Sequence, residues 1–458
     1  MIARLLLPAL LALAACAEGP STVAERRAPA TAAALPPMKL FAERPAPATD
    51  RSNRSIARDF LDLTFSLESG TALPVFTRFE GPITIRVTGS APPTLGPDLN
   101  RLVGRLRNEA GIDIRGAGPD EEASITVDVV ARGELQRFLP EAACVVVPNV
   151  SSWRDYVANR RSRTIEWSRI RARTRLAVII PGDTSPQEIR TCLHEEVAQA
   201  LGPVNDLFRL TDSVFNDDDF HSVLTGFDMA ILRAVYAPEL QTGMTRADVA
   251  ARLPAVLART NPAGERAGSG FRRRTPDAWR DAILIAIDAR RPRERRIDAA
   301  TDAVGIAQRL GPRDPHLAYA LYLYGRLVLA SEPDVALAAF LRAGDIYRAS
   351  PETRLQSANV AMQIAGSALS DGKPEVAIDI ADEAIPVAAR AENAALLSLL
   401  MLIKAEALRL QGRDTAAAAV RRDALGWGRY AFGSDAAVRA RAAEIRGLSP
   451  LSLDGGAA

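Results

Sequence analysis

HEEVAQALGPVND, running from His194 to Asp206, is the stretch on which the fold turns. Just upstream, Ser185-Pro186-Gln187-Glu188 places a capping serine, a proline suited to a first helical turn and a glutamate at the capping-box position. The spacing predicts a helix beginning at Pro186 and stopping at Gly202-Pro203, so residues 194–201 form its last two turns. Those turns carry two adjacent carboxylates, Glu195 and Glu196, with the amide of Gln199 one turn on. A zinc-binding H-E-x-x-H pair needs imidazoles at i and i+4, and four residues beyond His194 stands Ala198. That register fails. Before the helix, Leu176-Ala177-Val178-Ile179-Ile180 reads as a strand stopped by Pro181-Gly182.

Further out the texture stays mixed. Ile83-Thr84-Ile85-Arg86-Val87 and Ile125-Thr126-Val127-Asp128-Val129 alternate like half-buried strands, and residues 98–111 between them have helical spacing. We assign an α+β domain to residues 55–250. Asn261 to Asp277, NPAGERAGSGFRRRTPD, is Gly-rich and basic, and a linker is expected over 251–276. From 277 to about 450, Ala and Leu recur at helical spacing. Ala300, Val304 and Ala307 return as Ala336, Phe340 and Ala343, then Ala377, Ala381 and Ala384, then Ala417, Arg421 and Ala424, at intervals of 36, 41 and 40 residues. An all-α array of stacked hairpins is expected, with a face suited to an envelope protein or peptide.

The N-terminus reads MIARLLLPALLALAAC: one positive charge at Arg4, a short apolar run, then small residues before Cys16. It has the form of a secretory signal over residues 1–16, too short to span a bilayer. Residues 17–54 are rich in Ala and Pro and read as a semi-extended tether. With 57 basic and 55 acidic side chains, a net charge of +2 indicates no nucleic-acid partner. The chain holds 3 cysteines, so Cys144 and Cys192 are left as a possible disulfide pair in an oxidising compartment.

Several of these segments resemble known families. Leu13-Ala14-Ala15-Cys16 resembles a bacterial lipobox, which implies cleavage before Cys16 and lipidation of its sulfur. Ala17 follows where an aspartate would favour the inner membrane, so the expectation is a lipid anchor on the periplasmic side, in the outer rather than the inner membrane. Shifted by one residue, Glu195 to Asn205 is similar to the metzincin helix H-E-x-x-H-x-x-G-x-x-H. In that register Glu196 is the general base, Gly202 the turn glycine, and Glu195, Gln199 and Asn205 fill the three ligand positions. Ser213-Val214-Phe215 resembles the Met-turn with Phe215 replacing methionine, and Leu224 to Tyr236 resembles the C-terminal helix of matrixin-type domains. The four sets of alanines resemble the second helix of tetratricopeptide repeats, with Gly325 and Gly366 near the glycine of the first helix. The string EEVAQALGPVND is also similar to an uncharacterised proteobacterial lipoprotein family, the domain of unknown function 2927 type.

The ligand chemistry that this register implies is poor for zinc, which prefers imidazole, thiolate or carboxylate to neutral amides. Oxygen donors suit a harder ion, and Asp206 or the run Asn216-Asp217-Asp218-Asp219 can add charge. Two functions are therefore expected. One is a non-catalytic peptide-binding or assembly factor without a cofactor, held at the cell envelope by its lipid. The other is a metallopeptidase-like or cell-wall peptide hydrolase, with Glu196 as base and zinc or another divalent metal on Glu195, Gln199 and Asn205. His194 reads as a capping or partly exposed side chain, and the arginines between Asn159 and Arg175 as a solvated basic hairpin.

Overall fold

Alternating apolar residues build a five-stranded sheet from β1 (Ile83–Gly89), β2 (Ile114–Gly116), β3 (Ile125–Val130), β4 (Val145–Pro148) and β5 (Leu176–Pro181), in the order β2-β1-β3-β5-β4. All neighbours run parallel except β4, which pairs antiparallel with β5 at the edge. The period of two divides β5 between layers. Leu176, Val178 and Ile180 enter the main core, while Ala177 and Ile179 pack on the far face against Val147, Trp153 and Tyr156.

The computed structural model describes residues 34–42, 44–265 and 274–450. The expected signal segment 1–16 with Cys16, residues 17–33 of the expected tether and residues 266–273 of the expected linker lie outside the described residues. Seven helices accompany the sheet: α1 (Asn53–Phe65), α2 (Leu95–Ala110), α3 (Arg132–Gln136), α4 (Trp153–Asn159), α5 (Pro186–Leu201), α6 (Gly226–Val235) and α7 (Arg246–Thr260). α5 starts where Ser185 accepts the Glu188 N–H, with Pro186 in its first turn. Only half of the capping box forms, because the Glu188 side chain ion-pairs with Arg132.

Two boundaries differ from those expected. α7 is a helix inside the region assigned to a linker from 251. Its start is fixed by a capping box between Thr245 and Asp248, and its buried stripe of Val249, Leu253, Val256 and Leu257 completes the sheet domain's core. The tether ends early as well. Lys39 N–H bonds to the Gly426 carbonyl at 3.0 Å, Phe41 stacks on Trp427 at 4.4 Å, and Arg51 is buried against Asp59 and Asp212. The chain from Pro36 onward falls into one compact unit.

The second domain is helical: α8 (Asp277–Ile287), α9 (Arg293–Gln308), α10 (Pro315–Val328), α11 (Pro333–Arg348), α12 (Arg354–Ser370), α13 (Pro374–Arg390), α14 (Ala394–Leu410), α15 (Asp414–Phe432) and α16 (Asp435–Leu448). Prolines in the first turn open α10, α11 and α13, where their missing N–H costs nothing. Consecutive helices pack in pairs, and the recurring alanines lie in the buried seams of α9, α11, α13 and α15. A Cβ at Gly325 would stand 2.7 Å from the Phe340 ring, so glycine lets α10 and α11 approach. Arg421 is only partly buried and pairs with Glu406, which explains how a charge sits in the repeat position.

Loops from the sheet domain enter this helical core. Phe208 meets Trp279 and Tyr319, and Phe220 meets Tyr319 and Tyr322, with ring centroids 5.3 to 6.0 Å apart. Arg190 on α5 forms a buried ion pair with Glu392, and Tyr430 donates to Asp98 at 2.8 Å.

Candidate functional site

α5 positions the site, and its own end is held by an arginine. Arg173 is buried and donates to the carbonyls of Gln199 and Ala200 at 2.6 and 2.7 Å and to that of Gly202. It satisfies carbonyls that the last helical turn leaves open. Burial pushes its guanidinium down to about 10, and it lies 5.1 Å from the Trp167 ring. The basic stretch is thus not a solvated hairpin throughout: two short 3-10 turns lead into a buried capping residue. Gly202 follows because a Cβ there would meet Val235 of α6 at 2.8 Å.

Below α5 the turn Ser213-Val214-Phe215 is tied to the start of α6. The Asp228 carboxylate accepts from the Ser213 hydroxyl, from Val214 N–H at 3.2 Å and from Thr225 N–H at 2.7 Å. Phe215 is fully buried beneath α5, and its carbonyl accepts the Leu207 N–H. Two segments singled out separately in the sequence therefore form one hydrogen-bonded unit.

The side chains at the expected ligand positions have other uses. Gln199 donates its amide to Asp206 Oδ2 at 2.8 Å, and Asn205 donates to the Asp62 carbonyl at 2.9 Å. Glu195 is partly buried, whereas Glu196 is 5% exposed and its Oε2 meets no donor. Among the described residues, the imidazole and thiol donors are engaged elsewhere. His194 is buried, not partly exposed, and its Nδ1 accepts the Leu224 N–H at 3.1 Å. His221 bonds to the Thr211 carbonyl, and His316 sits between Asp314 and Thr275. Cys144 and Cys192 are joined in a disulfide with Cα atoms 5.9 Å apart, linking the start of β4 to α5. This donor set does not fit zinc.

What gathers instead is carboxylate. Burial, then Asp219, Asp217 and Glu68, push the Glu195 carboxyl up to about 8. Burial, Glu68 and Asp219 push Asp217 up to about 7 against the pull of Arg280. Burial and neighbouring acids hold Glu196 and Asp206 well above the ordinary range; for Glu196 the Val146 backbone pulls the other way. Oxygens of Glu68, Asp206 and Asp217 lie within 4.8 Å of one another, the group best arranged for an ion. Asp206 and Asp217 were visible in the sequence as sources of charge. Glu68, in the turn after α1, carries no local signal and was missed.

This segment can now be compared with known proteins. Residues 53–255 match the model of the family described as protein of unknown function (DUF2927). The match runs from α1 into α7, so the sheet, the acidic loops and the site helix all lie inside it, and the helical domain lies beyond. No curated protein matches the chain.

Next to the acidic cluster a groove of about 600 Å³ opens where the two domains meet. Asp218, Asp219 and Phe220 line it from one side, and Arg293, Arg296 and Arg326 from the other. Asp218 is held there by Phe220 N–H at 3.2 Å and the Gln356 amide at 3.3 Å.

Proposed function

We propose that this is a binding or assembly protein of the cell envelope, anchored by lipid at Cys16, whose degenerate metzincin-like domain has given up catalysis. The observation that carries this reading is the donor set at the ligand positions: one carboxylate, Glu195, and two neutral amides, Gln199 and Asn205, while the histidines and the Cys144–Cys192 pair are engaged elsewhere. A site kept for zinc hydrolysis would direct imidazole, thiolate or several carboxylates at the ion. The antiparallel edge strand β4 beside α5 and the Ser213–Asp228 link support a metzincin-like origin. Paired helices with alanine seams support divergent tetratricopeptide-like repeats. The groove between the domains supplies acidic and basic walls with Tyr319 and Tyr322, a surface suited to a charged peptide segment.

The alternative, a metal-dependent peptide or cell-wall hydrolase with Glu196 as general base, draws on one feature. Glu196 keeps an unpaired, buried Oε2. One experiment separates the two. Envelope peptides and peptidoglycan fragments are offered to the wild type, to Glu196→Gln and to an Arg293→Glu, Arg326→Glu double variant. Retention by the first two and loss in the third supports binding. Cleavage by the wild type, abolished in Glu196→Gln, would establish the hydrolase.

A further inference from the structure

Three loops converge beneath α5. Glu68 comes from the turn after α1, Asp206 from the loop after α5 and Asp217 from the loop leading to α6, and their oxygens lie within 4.8 Å of one another. Nearby cations are shared with other acids, and Arg280 also pulls on Asp217. Arg209 pairs with Asp59 and Asp62, and Arg280 pairs with Asp277 and Asp281. A second observation concerns Asp206 itself, which is 8% exposed. Its Oδ2 takes the Gln199 amide, while its Oδ1 is buried and accepts no N–H, and the Glu68 carboxyl stands within hydrogen-bonding reach of the Asp206 carboxyl. Asn205 Oδ1, next along the chain, is likewise buried and without a partner. Buried carboxylate oxygens are tolerated when a donor or a metal satisfies them.

We propose that Glu68, Asp206 and Asp217 form a binding site for one hard divalent cation, calcium by preference. The donor set is all oxygen, three carboxyl groups, which excludes the soft, thiolate-seeking ions. A spread of up to 4.8 Å is the width of a coordination sphere of radius about 2.4 Å, the calcium–oxygen distance, and is wide for magnesium. The second layer is in place: Gln199 orients Asp206, and Asn216 fixes the Asp217 loop by donating to the Leu210 carbonyl at 3.0 Å and to Asp218 at 2.8 Å. Access is through Glu68, the one exposed member, whose side water can complete the sphere. The ion would pin the loop that supplies Asp218 and Asp219 to the groove. The site goes beyond the binding reading and stands or falls separately from it.

The test is calorimetric titration of the chelator-treated full chain with calcium chloride, with manganese and magnesium chlorides in parallel. We expect one calcium per chain with a Kd on the order of 10⁻⁴ to 10⁻³ M, the range of extracellular calcium modules. Glu68→Gln, an exposed change that leaves the fold intact, and Asp217→Asn should each weaken it about tenfold or more. Asp219→Asn, in the same loop but outside the trio, should change it less than about threefold. No binding of any of the three ions up to about 10 mM would overturn the proposal. So would a calcium affinity unchanged in Glu68→Gln and Asp217→Asn, or an equal loss in Asp219→Asn.

Discussion

At the scale of single residues, His194 shows how burial sets a charge state. Its Nδ1 accepts the Leu224 N–H, which only a neutral ring can do, and burial with Arg190, Arg105 and Arg101 holds its pKa well below the usual 6.5. The folded value is the lower one, so the unfolded chain takes up this proton first. The neutral ring's contribution is complete above about pH 6.5 and is lost as pH falls below it, at up to about 1.4 kcal/mol per pH unit. An asparagine can accept the same N–H without titrating. Urea melts of the wild type and His194→Asn at pH 7, 6 and 5 should show the variant losing less stability on acidification; equal slopes would contradict this. His194 was conspicuous in the sequence, but its environment was not, since Leu224, Arg101 and Arg105 reach it from other elements. Glu68 marks the same limit for the acidic site. Spacing within α5 revealed Glu195, Glu196 and Gln199 as a group, yet the carboxylates that meet most closely come from three separate loops.

At the scale of elements, α5 is fixed from outside at its C-terminus and midway along its length. Arg173 holds three carbonyls at the C-terminus without a carboxylate partner. Arg173→Met keeps much of the bulk but leaves those buried acceptors unpaired, and a loss of about 3 kcal/mol in urea denaturation is expected. A change below about 1 kcal/mol would mean water replaces the guanidinium. The Cys144–Cys192 bridge ties β4 to the same helix across 48 residues of chain. Replacing both cysteines by alanine should cost about 4 kcal/mol by loop-closure entropy, read as a lower melting temperature under non-reducing conditions. The elements that could be read beforehand were those with a full period: β1, β3, β5, α2 and α5. β2 and β4 are too short to alternate, and β4 directly follows Cys144, a position more suggestive of a loop. α7 does have its apolar stripe, but Pro254 stands inside it and imitates a break.

At the scale of the whole molecule, the two domains are joined through side chains rather than through a linker alone. Phe208 and Phe220, both on the loop after α5, are buried among Trp279, Tyr319 and Tyr322. Truncating a buried phenylalanine costs about 3 to 5 kcal/mol. The double variant Phe208→Ala, Phe220→Ala should therefore separate the unfolding of the two domains in calorimetry, where a single transition is expected of the wild type. A single transition in both would show that other contacts suffice. The periodicities that separate a mixed region from a helical one are visible along the chain. Their docking is not, because nothing local distinguishes an aromatic destined for a neighbouring domain from one in its own core.

That pair of phenylalanines bears on how modular this protein is. The segment matched by the family, residues 53–255, includes both rings but none of the helices that cover them. Cut out at those limits, it would present two adjacent aromatics to water beside an acidic loop that has lost Gln356, its hydrogen-bonding neighbour. A relative that carries the sheet domain without this helical array therefore needs another cover for the loop: smaller polar residues there, a different appended domain, or a permanent partner chain.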